Sequence, residues 1–508
     1  MELCHKNSTL QSPAIEKLGQ FVLEWRTQWE NSTPDFERFE HELPEQIMAL
    51  ECEFLTEELA RYDVKAEQIK VGGVTYRQAL TSSETYLSAA GPLTLERHLY
   101  RPAGRGSRSI CPLELRAGII GGYWTPRAAR QAAFAMAHLT PGDSERELGE
   151  AQSPFAELGG MRPSRSSLDR LPKELSAHWE VQRQKWEAAL RTEETVPHEA
   201  RVIAISVDGV TVRMKSGERR FKRDQPGKHA SGPIGQREAG CGTVVLYDAE
   251  GERLQTIRYG RMPERRKVTL QQQLETEAAS VLAVRPDLKR VLLADGAEPN
   301  WSLLSEVDQA CGAPSQPSVE IVDFYHACDH LKEGCDAAWG ESTPRSKAEF
   351  ERLKTLLKED EAGVDRTIRM LKYHRGRAQG RQRKRLETQL TYFRNQRHRM
   401  CYAEYLRQGL PIASGVIEAS CKTLVTQRLK QSGMAWTRTG GQAILTLRSL
   451  IQSDRWLPAW ELLRADFRIP VSGCHAQANL PAPSRQRQSQ RLHQTIDPID
   501  FTALPWAG

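Results

Sequence analysis

The fold turns on residues 201–326. They include RVIAISVDG (201–209), GCGTVVLYDAEGERLQTIRYGRM (240–262), VTLQQQLETEAASVLAV (268–284), RVLLADGA (290–297), EPNWSLLSEVDQACG (298–312) and VEIVDFYH (319–326). The short runs rich in Val, Ile and Leu, closed by an acid or a glycine, predict strands, and the segments with apolar residues three and four apart predict amphipathic helices. The turn Asp248-Ala249-Glu250-Gly251 joins two of the strands as a hairpin. The expected order is strand, hairpin, helix, strand, helix, strand. That is a mixed five-stranded α/β sheet, antiparallel strands first and helical crossovers afterwards.

This order is the plan of an RNase H-like core, whose first part spans 198–331. Upstream, SPAIEKLGQFVLEWRTQW (12–29) and LPEQIMALECEFLTEELARY (43–62) predict an N-terminal helical region over 1–65. VGGVTYRQ (71–78) and PLTLERHLYR (92–101) predict a small β-hairpin region over 66–124. Residues 125–197 turn helical again, with Thr125 as a cap, Pro126 in the first turn and a Gly-containing break before SRSSLDRLPKELSAHWE (164–180). A helix-turn-helix DNA-binding region fits this pattern, and so does an ordinary helical hairpin. Downstream, 332–408 read as a charged, all-helical insertion. SGVIEASCKTLVTQRLK (414–430) and GGQAILTLRSLIQS (440–453) then resume amphipathic helices, the C-terminal helices of the core over 409–465. The tail over 466–508 is rich in Pro, Gln and Arg, a composition expected to stay disordered.

Bulk properties narrow the class. The 508 residues are 39% hydrophobic, enough to bury a core, and no run of about 18 apolar residues could span a bilayer. The polar start MELCHKNSTLQSP has no apolar signal-peptide segment, so a cytoplasmic protein is the expectation. None of the ten cysteines forms a Cys-x-x-Cys pair, which argues against a zinc ribbon and for reduced, structural thiols. A net charge of +6 permits a polyanion partner. The distribution says more: from Leu371 to Met400, ten Lys and Arg stand against the single acid Glu387, as in a polyanion-binding patch or a solvated helix face.

Three acids occupy the positions that two-metal chemistry needs. Asp208 closes the first strand in SVDG, Asp295 closes the fourth in LADG, and Glu418 lies in the resumed helix in GVIEAS. Adjacent parallel strands would set the two aspartates side by side at the C-terminal edge, where open α/β sheets bind ligands. Their mutual repulsion is relieved by a divalent cation, and hard oxygen ligands suit Mg2+ or Mn2+. Two ions about 3.5–4 Å apart would clamp the attacking and leaving oxygens of an in-line phosphoryl displacement. Each Asp-Gly taken alone is equally an ordinary turn after a strand. Of the other acids, Asp248 belongs to the hairpin turn, while Asp323 ends the fifth strand with His326 three residues on.

Basic residues gather beside this edge. Lys215, Arg219, Arg220, Lys222, Arg223 and Lys228 follow the first strand, and Arg261, Arg265, Arg266 and Lys267 follow the third, within reach of phosphates. Arg381, Arg383, Lys384 and Arg385 in the insertion, with Lys422, Arg428 and Lys430 in the resumed helix, extend the DNA-binding candidates. Trp301 and Trp436 could stack on an unpaired base or pack in the core. GKHASG (227–232) lacks the spacing of a phosphate-binding loop, so nucleotide hydrolysis is not expected.

The series VDG, LLADGA, IVDFYHACDHL and GVIEASCKTLVTQRLKQSGMAW resembles the DDE transposases of bacterial insertion sequences, in particular the ISKra-type group near the Mutator-like superfamily. The resemblance covers roughly 95–460. GGYWTPRAARQAAFAMAH (121–138) and the Ser-Arg-Ser-Ser helix after it are also similar to the amino-terminal half of such enzymes. It implies that Asp208, Asp295 and Glu418 form the catalytic triad and hold two Mg2+ or Mn2+ ions. It implies that Asp323 and His326 match the family's Cys- or Asp-x-x-His signature, and that the insertion shapes a DNA channel. The Cys-x-x-Cys ribbon of many relatives is missing from this chain. The implied reaction is hydrolysis at a transposon end followed by attack of the freed 3′ hydroxyl on target DNA. A dimer or larger assembly would hold two ends in the bacterial nucleoid. An RNase H-like nuclease without strand transfer, or a non-catalytic transposase-derived DNA-binding protein, are the alternatives.

Overall fold

The apolar runs of 201–322 form five strands of one sheet in the computed structural model, which describes residues 12–29, 33–102, 108–140, 154–155, 159–215, 235–313 and 316–473. The chain divides into two units: 1–135 with 141–171 and 460–508, and 136–140 with 172–459.

In the first unit, α1 (Pro13–Gln28) and α2 (Phe36–Ala60) begin at side-chain caps. Ser12 accepts from the Ile15 amide and Asp35 from the Glu37 amide, satisfying N–H groups that a helix start leaves open. Phe21 stacks on Phe39 with ring centroids 5.6 Å apart, and Trp25 lies 4.9 Å from Phe39. The strands β1 (Gln68–Val71), β2 (Val74–Leu87) and β3 (Pro92–Pro102) form an antiparallel sheet, as the alternating pattern predicts. Ser472 and Gly473 extend it by pairing with Lys70 and Ile69. The expected disorder therefore does not begin at 466, because these two residues satisfy the open edge of β1. Residues 474–508 lie outside those described. The short helix α3 (Pro112–Ala117) ends at Gly118 in the left-handed region. It is followed by α4 (Pro126–His138) and α5 (Arg165–Glu193).

From Pro172 onward α5 belongs to the second unit. There Trp179, Trp186 and Leu190 are buried, and Glu180 holds Arg261 through two hydrogen bonds of 2.8 and 3.0 Å. The region 125–197 thus forms no unit of its own. Most of the segment that would join a helix-turn-helix, 141–153 and 156–158, lies outside the described residues.

The second unit is built on β4 (Val202–Arg213), β5 (Gln236–Tyr247), β6 (Arg253–Arg261), β7 (Lys289–Ala294) and β8 (Val319–Val322), in the order β6-β5-β4-β7-β8. The first three pair antiparallel, and β4, β7 and β8 pair parallel. The helices α6 (Val268–Val284) and α7 (Glu298–Ala310) make the crossovers. Ile203, Ile205, Val244, Leu270, Leu274, Val291 and Leu304 are buried together, each worth about 1.5–3 kcal/mol relative to exposure. Residues 324–407 are helical: α8 (Phe324–Trp339), α9 (Pro344–Glu359), α10 (Gly363–Arg377), α11 (Gly380–Asn395), one 3-10 turn and α12 (Tyr402–Arg407). The chain then returns through α13 (Gly415–Ser420), which runs on as a π-helical stretch over Cys421–Thr426, before α14 (Arg438–Gln452) and the start of α15 (Trp456–Asp466), whose residues from Trp460 belong to the first unit.

One strand boundary departs from expectation. Asp208 does not end its strand but sits seventh of the twelve residues of β4. The cause is the neighbours: β5 pairs with β4 out to Arg213, whereas β7 pairs with it only from Val202 to Ser206. Beyond Ser206 the strand continues as a two-stranded ribbon. Asp208 thus lies just past the end of the parallel pairing.

Candidate active site

The parallel register lines up three aspartates. Ser206 pairs with Leu293 and Ala294 with Val322, so carrying each register onward sets Asp208, Asp295 and Asp323 on one level of three neighbouring chains. The Asp323 amide donates to the Ala294 carbonyl at 2.9 Å, one bond past the end of the ladder.

Both Asp-Gly glycines have local reasons. A Cβ on Gly209 would stand 2.2 Å from Glu238 Oε1, so any other residue there would displace that carboxylate, which pairs with Lys267. Gly296 has φ +96°, and a Cβ there would press on the Tyr392 ring at 3.1 Å. The Tyr392 hydroxyl and the Gln396 amide, from α11 and the residue after it, donate to the carbonyls of Asp295 and Gly296 at 3.4 and 3.0 Å. The helical insertion therefore grips the turn that carries Asp295.

Each acid has a different environment. Asp208 Oδ1 accepts from the Gly209 amide at 2.6 Å, and Oδ2 accepts from the Cys421 thiol at 3.4 Å. That thiol is held far above its ordinary range by bonding to Cys241, by burial and by the Asp208 charge, so it stays a donor. Asp295 Oδ1 accepts from the Ala297 amide at 3.0 Å and from Asn300 Nδ2 at 3.1 Å. Asp323 is buried and fully engaged: Oδ1 accepts from the His326 amide at 2.6 Å, capping α8, and Oδ2 accepts from the Ser414 amide. Ser414 is the residue before α13, and its carbonyl accepts from the Glu418 amide at 2.9 Å. Asp323 thus fixes the segment that presents Glu418.

Glu418 is exposed in α13. Its carboxyl is pushed above the ordinary range by burial and by the negative charges of Asp323 and Asp208, with His326 opposing and Asp329 adding to the shift. His326 makes an edge contact with His330 at 5.9 Å between ring centroids. His330 stacks on Tyr392 at 3.6 Å and bonds Gln389 at 2.7 Å. Burial and then the charges of Asp295, Asp323 and Asp329 raise the Tyr392 hydroxyl, which ties these three aspartates to one electrostatic neighbourhood.

The donor chemistry fits a hard divalent cation: carboxylate oxygens crowded until one carboxyl resists ionisation. Among the described residues, however, no three His, Cys, Asp or Glu side chains close around a common point tightly enough to hold a metal ion. The three acids expected to converge therefore form no closed three-ligand cage among the described residues; Glu418 feels the charges of Asp323 and Asp208, while Asp295 is held by Ala297 and Asn300.

The basic candidates separate by environment. Arg219, Arg220, Lys222 and Arg223 lie outside the described residues. Arg265, Arg266, Arg381, Arg383, Lys384, Lys422 and Lys430 are exposed. Arg385 pairs with Glu333 at 2.9 Å, and within the same basic run Arg375, Arg397 and Arg399 pair with Glu387, Asp365 and Glu320. The patch is therefore weaker than its composition suggests. Arg428 is corrected: it is 2% exposed, donates to the Met136 carbonyl at 3.3 Å and lies over the Trp436 ring, so burial removes it from any DNA-facing surface. Lys267 is engaged with Glu238 at 2.8 Å and Asn300 at 3.0 Å. Trp301 is buried beneath the Arg399 guanidinium at 4.0 Å, in keeping with core packing.

Sequence reading missed Asn300, Tyr392, His330 and Cys421. Asn300, His330 and Cys421 each lie three to five residues past a predicted site residue, Asp295, His326 and Glu418, whereas Tyr392 arrives from a distant helix. No helix among the described residues is long and apolar enough to cross a membrane. No protein-family model matches the chain, and no curated protein matches it in sequence.

Proposed function

We propose that the second unit is an RNase H-like catalytic core and that the protein is a DDE transposase, cleaving DNA at transposon ends and joining the freed 3′ ends to target DNA. The observation that carries this reading is the placement of Glu418. A helix from beyond the helical stretch 324–407 brings this carboxyl into the field of Asp323 and Asp208, and β7, which delivers Asp295, is the parallel neighbour of β4. The strand order, with three antiparallel strands followed by two parallel ones, supports the same core.

Asp208, Asp295 and Glu418 would hold two Mg2+ or Mn2+ ions, which when bound would neutralise charge on the phosphoryl oxygens and stabilise the leaving 3′ oxygen. The chain's own residues set the stage. Asp323 anchors Ser414 and so the approach of α13, Tyr392 and Gln396 hold the Asp295 turn, and Cys421 orients Asp208. Arg265, Arg266, Arg381, Arg383 and Lys384 offer exposed cations to a DNA backbone.

The test is cleavage and joining. Purified protein with Mn2+ should nick duplex DNA carrying the inverted repeats that flank its reading frame, and should join pre-cleaved ends to a plasmid. Asp208→Asn, Asp295→Asn and Glu418→Gln should each abolish both steps while DNA binding persists. Nicking without joining would favour a plain nuclease. Binding without either, unchanged in all three variants, would favour a non-catalytic DNA-binding protein and end the proposal.

A further inference from the structure

The chain turns from β6 into α6 through two successive non-glycine residues in the left-handed region, Arg266 at φ 56° and Lys267 at φ 53°. L-residues avoid this region, because Cβ crowds the following carbonyl, so a consecutive pair persists only where surrounding contacts dictate it. The contacts belong to Lys267. Its stem passes Gly240, whose added Cβ would lie 3.6 Å from Lys267 Cδ, and Gly240 is the cross-strand partner of Gly209. Its Nζ donates to Asn300 Oδ1 at 3.0 Å and pairs with Glu238 Oε1 at 2.8 Å.

These partners fix the Asn300 amide without ambiguity. An ammonium only donates, so the face toward Lys267 must be the amide oxygen. An ionised carboxylate only accepts, so the face toward Asp295 must be the amide nitrogen. Asn300 is 7% exposed and has little freedom to turn. Asp295 Oδ1 is thereby held by two N–H donors, and Oδ2 accepts no hydrogen bond among the described residues.

We infer that Lys267 is a positioning residue rather than a phosphate contact: acting through Asn300, it holds the Asp295 carboxylate with one oxygen occupied and the other presented to a divalent cation. The inference rests on the cation-dependent reading of the site proposed above. It also explains why a lysine leaving a strand of the catalytic sheet, beside the exposed Arg265 and Arg266, has a side chain only 21% exposed and already paired.

The experiment measures Mn2+ binding to the full-length protein by electron paramagnetic resonance, and in parallel the affinity for a duplex oligonucleotide as a function of salt. Lys267→Met should weaken Mn2+ binding about 10- to 100-fold, as loss of a partner orienting a metal ligand does. It should leave the salt dependence of DNA binding unchanged, and Lys267→Arg should restore most of the Mn2+ affinity. Asn300→Leu, close in volume, should reproduce the loss from the other side of the contact, so the result does not depend on one variant's stability. Wild-type Mn2+ affinity in Lys267→Met, or a salt slope lowered by about one, would overturn the inference while leaving the proposed function standing. Equal Mn2+ binding by wild type and Asp295→Asn would instead bring down the cation-dependent reading, and this inference with it.

Discussion

Replacing Asp323 with alanine should both destabilise the second unit and release Glu418. The carboxylate is 1% exposed and accepts two backbone N–H groups, from His326 at the start of α8 and from Ser414 ahead of α13. Losing the helix cap costs about 1 kcal/mol. The Ser414 amide, in a residue 6% exposed, loses its acceptor, which costs about 1–3 kcal/mol more. The sum is about 2–4 kcal/mol. Asp323→Asn keeps an acceptor for one of the two amides and should cost roughly half as much. Urea unfolding followed by circular dichroism reads the midpoint shift at constant slope. Hydrogen exchange of the Ser414 and Glu418 amides reads the local release, which should be seen even under conditions where the sheet stays protected. A loss below about 0.5 kcal/mol, with unchanged exchange at Ser414, would refute the idea that Asp323 is the strut between β8 and α13.

Further outcomes follow from the same structure. Arg455 is 3% exposed and pairs with Glu277, itself 1% exposed, and with Glu194; Arg455→Met should cost about 3–5 kcal/mol in urea unfolding, and a loss under about 1 kcal/mol would show that the Glu277 charge finds other compensation. Arg381, Arg383 and Lys384 are exposed and form no ion pair among the described residues; substituting all three with alanine should lower the salt slope of duplex DNA binding by about 2–3, whereas an unchanged slope would remove this face from the DNA path. His138, His330 and His374 are each held below the usual histidine range, chiefly by burial. Their neutral forms favour the folded state, so this stability is full above about pH 6.5 and is lost as pH falls toward the folded-state values. Urea midpoints at pH 7.5 and 5.5 should differ less in His330→Gln than in wild type.

What could be read without coordinates was periodic or local. Alternating and continuous apolar runs locate all five strands of the second unit and its crossover helices, because burial imposes those patterns directly on the sequence. Asp295 and Asp323 were legible as acids that close strands. The length of β4 was not: whether a strand continues past an acid depends on whether a neighbour offers hydrogen bonds, and β5 does so to Arg213. Charge was legible only as a total. Arg381 and Arg385 look alike in sequence, yet one is exposed and the other is paired with a glutamate from α8. Arg428 looked like a surface cation because it stands with Lys422 and Lys430 in one basic helical stretch, and only packing against Trp436 and the Met136 carbonyl shows it to be interior.

The sequence by itself determined the five strands of the second unit and their crossover helices, the helical excursion between Asp323 and Glu418, and the identity of the acids that close β7 and β8. Those features follow from interactions between residues a few positions apart. Tertiary structure alone decided that Asp208, Asp295 and Asp323 share a level, that Asp323 is spent on tethering Ser414, and that Lys267 is committed to Asn300 rather than free for phosphate. Register, burial and the choice of hydrogen-bond partner are set by groups scores of residues apart or on separate elements, and a linear pattern carries no record of which of them will meet.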